Sequence, residues 1–283
     1  MSLDRDDIRA AVAAGMITEA QAASVIALAD SRRGVRENLD GLDEPFDLFK
    51  GFNEIFIVVG MTILYAGWLG VSGLSAWDRL FVSGGYAPYA VAAMALIALA
   101  ARYFTLKRRM IAPSIALAIM FGISALQLGA SLGWALKLGI MERVAFTFGT
   151  ATVSLGLYYL LFRVPFVMAL IALGIFVTLA PLQVMGGANM PGFEDFFELT
   201  SEGPFAWVTF ALGLVGLACA LAFDMSDPHR VTRRAASGFW LHVVSAPAIV
   251  NTVALTLLGI GTSTAQFTLL LFLTGMALFA IVI

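Results

Sequence analysis

Charge along this chain comes in short bursts separated by long apolar stretches. Asp, Glu, Lys and Arg are absent from 55–77, 80–101, 110–136, 144–162, 164–193, 203–223 and 235–283. A helix needs about 20 mostly apolar residues to cross the hydrocarbon core of a bilayer. The first six runs hold one such helix each, and the last is long enough for two. The pattern therefore predicts eight spans, near 55–74, 86–104, 111–134, 144–162, 164–186, 204–223, 238–259 and 264–283. The fold class read from it is all-α: a polytopic transmembrane helix bundle over 51–283, preceded by a small cytoplasmic helical segment.

That segment, 1–50, has a different pattern. Asp4–Ala14 suits a short helix broken by Gly15. Thr18 and Gln21 have the spacing of a capping box, in which a hydroxyl and an amide satisfy orphan backbone N–H groups. The helix expected after them, to about Asp30, places Ala22, Val25, Ile26 and Ala29 on one face. Two helices this short cannot bury an independent core, so they are expected to pack on the membrane domain, on a partner, or on themselves in an oligomer. Residues 31–50 are charged and read as a linker. Within the bundle, Pro165 fits the first turn of the fifth span, where its missing N–H costs nothing. The outer loop 187–203 alternates Phe193, Phe196 and Phe197 with Glu194, Asp195 and Glu198, which predicts a short interfacial helix lying aromatic side down. Trp68, Tyr86, Tyr89, Trp134, Trp207 and Trp240 fall near expected span ends, where interfacial aromatics belong.

Composition strengthens the membrane reading. Hydrophobic residues are 60% of the chain and charged residues 13%, against about 45–50% and 25% in soluble domains. The net charge of −2 favours no nucleic-acid partner. The one cysteine, Cys219, lies in a span and offers no disulfide. The acidic N-terminus is unlike a signal peptide. The chain stops at Ile283 inside an apolar run, which raises the expectation of further sequence. Orientation follows from Lys and Arg in the connections. With the N-terminus inside, fourteen of the 17 basic residues lie inside; Arg79, Lys137 and Arg143 are outside. The orientation expected is a cytoplasmic N-terminus.

Few residues in the spans can carry chemistry. Glu54, preceded by Asn53, flanks the first span, and His242 opens the seventh, followed by Ser245 and Asn251. Spans one and seven run in the same direction, so Glu54 and His242 share a depth near the inner face. They can pair as a proton relay or gate. The blander alternative leaves Glu54 wet at the headgroups and His242 bonded to a backbone carbonyl. Asn251 lies about 14 Å deeper at 1.5 Å per residue, either as interhelical glue or as a substrate contact. Pro247 can kink span seven and free a carbonyl there. Gly70-Val71-Ser72-Gly73 matches the G-x-S-G of rhomboid-type proteases, but Ser72 is at the outer end and both histidines are near the inner side, so the activation a serine needs is out of reach. Two histidines and one cysteine do not furnish the three or four ligands of a zinc site, and there is neither H-E-x-x-H nor a P-loop. No cofactor is expected. Gly129-x-x-x-Gly133, and Gly67, Gly70 and Gly73, suit close helix approach. Gln127 and Gln183 can bridge helices.

Ala14-Gly15-Met16-Ile17-Thr18 with Ala20-Gln21-Ala22, Phe52-Asn53-Glu54-Ile55-Phe56, and Phe239-Trp240-Leu241-His242 with Ala246-Pro247 carry a resemblance. The chain resembles a family of uncharacterised multi-pass bacterial inner-membrane proteins that open with a short cytoplasmic helical pair. The resemblance implies a location and an architecture, and singles out Asn53-Glu54 and Trp240–His242. Ion-coupled carriers usually hold ionisable groups deep in the bundle, and spans two to eight contain no Asp or Glu. The functional expectation is therefore a non-catalytic accessory, binding or scaffold protein embedded in the lipid bilayer, taking a protein partner through 1–50. The alternative is a transporter or channel for a neutral or lipidic solute.

Overall fold

The computed structural model of this chain describes residues 5–18, 21–26, 28, 53–80, 85–227 and 232–282. Among them helices are the only regular elements. Helix α1, Arg5–Ala13, ends where Gly15 takes a φ of 70°. The Gly15 N–H then bonds the Val12 carbonyl and the Met16 N–H the Ala11 carbonyl, the paired closure of a Schellman motif. The capping box forms as expected: Thr18 N–H donates to Gln21 Oε1 at 2.9 Å, and Gln21 N–H to Thr18 Oγ1 at 3.2 Å. Residues 21–26 are helical behind it. The linker expected at 31–50 lies outside the described residues.

Eight helices follow: α2 (Asn53–Leu80), α3 (Ala87–Ala101), α4 (Ile111–Ala135), α5 (Ile140–Phe162), α6 (Val167–Met185), α7 (Phe205–Ser226), α8 (Arg233–Ile260) and α9 (Ser263–Val282). Seven are long and apolar enough to span a bilayer; α9 carries a shorter apolar stretch over Ser263–Ala277. The protein is thus a multi-pass membrane protein with an all-α bundle. The helices outrun the charge-free stretches because intrahelical hydrogen bonds continue through polar residues; α7 passes Asp224 and α2 passes Asp78. Large side chains such as Leu64, Leu160, Val215 and Leu258 point outward, an arrangement that suits lipid rather than water.

Consecutive helices α3 to α6 pack side by side, α7 and α8 form the most extensive pair, and α2 lies on α4. The main core joins Ala93 and Ile97 of α3, Leu117 and Phe121 of α4, Leu155, Tyr158 and Phe162 of α5, and Val167 of α6. Lipid tails are as apolar as leucine, so helices associate through close packing. Small residues supply it here. A Cβ on Gly129 would sit 2.8 Å from the Thr147 backbone, and one on Gly213 would sit 2.8 Å from Ile249. Gly129 and Gly133 thus form an α4–α5 seam. Gly67 and Gly70 do not pack within the chain: nothing lies within 4 Å of the Cβ either would carry.

Several local expectations change. The 187–203 loop forms a single 3₁₀ turn, Glu194–Phe196, rather than a helix lying flat. Its Phe196 packs on Phe176 and Phe205 while Phe193 points outward. Thr256 of α8 holds the loop by accepting the Leu199 N–H at 2.9 Å. Tyr86 is buried rather than interfacial. Pro165 sits in the turn before α6, and α8 runs unbroken through Pro247.

Candidate functional site

A linked set of polar side chains lies at the end of the bundle that holds the 163–166 and 227–232 connections. Asp227 organises the last of these: its Oδ2 accepts the Thr232 N–H at 2.7 Å and hydroxyl at 2.8 Å. Thr232 in turn caps α8 by accepting the Arg234 N–H at 3.1 Å, relieving one of the orphan donors of a helix start. Buried Arg233 donates to the Phe162 carbonyl at 3.4 Å, and Tyr159 and Ser237 share a hydrogen bond at 3.3 Å. The start of α8 is thereby tied to the end of α5.

His242 lies two to three turns further along α8. Its Nε2 donates to Asp224 Oδ2 at 2.8 Å, across the α7–α8 interface, with the two side chains about one-fifth exposed (19% and 22%). A carboxylate only accepts, so it selects the tautomer with the proton on Nε2. Nδ1 then makes no hydrogen bond among the described residues. The approach depends on Gly238, one turn before His242. A Cβ there would meet Asp224 Oδ1 at 2.8 Å and the Ala220 carbonyl at 3.2 Å.

Glu54 is elsewhere. It is 1% exposed, on the first turn of α2, and its Oε2 accepts the Ala112 N–H at 3.5 Å. Ala112 is the second residue of α4, where N–H groups lack intrahelical partners and the helix dipole favours an anion. Glu54 Oε1 is buried without a partner. The expected Glu54–His242 pair does not form, and neither does its blander alternative: Glu54 is not wet, and His242 bonds a carboxylate rather than a carbonyl. Asn53 starts α2, with its side chain outside the described residues. Ser245 is buried and donates to the Leu241 carbonyl at 2.8 Å, facing Gly216 in the α7–α8 seam. Asn251 is exposed on α8 and makes no side-chain hydrogen bond among the described residues, so it bridges no two helices there. Gln127 and Gln183 each leave Oε1 buried without a partner, and Gln183 Nε2 bonds only its own helix. Ser72 shares a hydrogen bond with Tyr86 at 2.6 Å and donates to the Trp68 carbonyl.

Asp224 is the residue that sequence reading passed over. It follows directly on a charge-free run, and that position made it look like loop. The signal available was its place at the end of one expected span, next in sequence to a span that carries His242 near its start.

The pair can hold a proton at Nδ1 and can lock α7 to α8. A histidine oriented by a carboxylate is half of a catalytic triad, yet no serine, threonine or cysteine is hydrogen-bonded to this imidazole. Among the described residues no group of three or more His, Cys, Asp and Glu is placed to hold a metal ion. No family model matches this chain, and neither a curated protein nor a solved structure matches it.

Proposed function

We propose that this chain is a non-catalytic accessory or binding component of a bacterial inner membrane, oriented with its N-terminus in the cytoplasm. One observation carries the reading: six hydroxyls spread over four spans and the last helix are taken up by the carbonyl four residues back on their own helix. Thr152 donates to Phe148, Ser154 to Thr150, Thr178 to Gly174, Thr209 to Phe205, Thr252 to Ala248 and Thr274 to Leu270. Such bonds satisfy the hydroxyls without presenting them to a solute. Ion-coupled carriers set ionisable groups along a path; here Glu54, Asp224 and His242 lie toward one end, engaged with helix neighbours. The Lys and Arg distribution supports the orientation. The short helices before residue 29 support a docking role for the N-terminal segment, and the family resemblance agrees with the location.

Two measurements on the full chain test this. In sealed liposomes, flux of glycerol, urea and small sugars is expected to equal that of protein-free liposomes. In native membranes, deletion of residues 1–50 is expected to remove a reproducible set of co-purifying proteins. Solute-selective flux that exceeds the empty-liposome rate, with unchanged co-purification, contradicts the reading and favours a transporter of a neutral or lipidic solute.

A further inference from the structure

The end of α3 departs from α-helical winding. Arg102–Lys107 form a π-helix, a rare element found most often at functional sites. Its backbone returns to α4 through the Met110 N–H, which donates to the Phe104 carbonyl at 3.0 Å. Thr105 is fully buried there and accepts the Ser114 hydroxyl at 2.9 Å. These bonds hold the wide turn against α4.

The winding changes which residues share a face. Five positions on, an α-helix has turned about 140° past its starting face. In a π winding of roughly 4.4 residues per turn the excess falls to about 50°. Arg102 and Lys107, five apart, therefore face the same way. They border a groove of about 430 Å³ whose other walls are Leu99, Tyr103 and Leu106. Both cations are exposed and neither has an ion-pair partner among the described residues; Lys107 overhangs the Tyr103 ring, 5.9 Å from its centroid. Arg108 flanks the same ring and donates from Nε to the Tyr103 hydroxyl at 3.1 Å, which fixes the aromatic wall.

The groove opens at the end of an apolar helix long enough to span a bilayer, at the depth where hydrocarbon gives way to headgroups. An apolar floor on the hydrocarbon side and two uncompensated cations on the water side match an anionic glycerophospholipid. The geometry points to a bound anionic phospholipid in this groove, with its phosphate between Arg102 and Lys107 and its acyl chain along Leu99 and Leu106. Basic pockets at span ends recognise such headgroups through charge and interfacial position together. A free phosphate would satisfy the cations and leave the apolar floor uncovered. The inference does not depend on which side of the membrane this end faces.

The test counts bound lipid on the full-length, delipidated protein in neutral detergent by native mass spectrometry. Phosphatidylglycerol is expected to be retained over phosphatidylcholine of the same chain length. The double variant Arg102→Gln/Lys107→Gln is expected to lower phosphatidylglycerol retention about tenfold or more. Lys137→Gln, which removes one charge at the opposite end, is expected to leave it unchanged, as is millimolar inorganic phosphate. Equal retention of the two lipids, an unchanged double variant, or displacement by inorganic phosphate overturns the assignment. Should the double variant fail to fold, a photoactivatable phosphatidylglycerol on the wild-type protein decides the matter. Adducts within residues 99–107 support the site, and adducts confined to other segments overturn it.

Discussion

Asp224 and His242 are 18 positions apart and meet at 2.8 Å across two helices. Side chains about one-fifth exposed gain more from such a bond than fully solvated ones, and a net coupling of about 0.5–1.5 kcal/mol is expected. A double-mutant cycle with Asp224→Asn and His242→Ala, read by unfolding in detergent, measures it; additive effects would show that the contact is idle. Glu54→Ala, which strips the acceptor from the start of α4, is expected to cost about 1–2 kcal/mol. Asn251→Leu is expected to shift stability by less than about 0.5 kcal/mol, since the amide makes no hydrogen bond among the described residues; a large loss would reveal a partner for it. These three residues show what was legible at this scale. Their types and approximate depths could be read from position along the chain. Their partners could not, because a helix residue's neighbour depends on rotation and interhelical register, and one sequence records neither.

Helix seams make a sharper contrast at the level of elements. Gly129 abuts the Thr147 backbone, which cannot retreat as a flexible side chain would, whereas Gly60 and Gly67 face open space. Gly129→Ala is expected to destabilise by about 1–3 kcal/mol through overpacking. Gly60→Ala is expected to be neutral or to stabilise by up to about 1 kcal/mol, as alanine is the better helix former. Thermal midpoints of the two variants in one detergent check the difference, and equal losses would contradict the seam. Span existence was plain from the charge-free runs, because lipid excludes charge over the length of a helix. Helix ends were less plain, since helical bonding continues past the first charge. The π turn after Ala101 left no trace in the apolar pattern. Glycine spacing showed where approach was permitted; it did not say which helix would come, and Gly67 and Gly70 were misjudged for that reason.

Across the whole molecule, the structure is a seam-packed bundle with seven helices long and apolar enough to cross a membrane, and the proposed orientation puts its N-terminus inside. Asn189 and Ser226 are exposed on either side of α7, and that orientation would place them outside and inside respectively. The direct measurement is labelling of single cysteines, Asn189→Cys and Ser226→Cys in a Cys219→Ala background, with a membrane-impermeant maleimide on intact cells. The account predicts that position 189 is labelled at once and position 226 only after permeabilisation. Labelling of 226 in intact cells with protection of 189 would contradict the orientation. Immediate labelling of both would contradict α7 as a span.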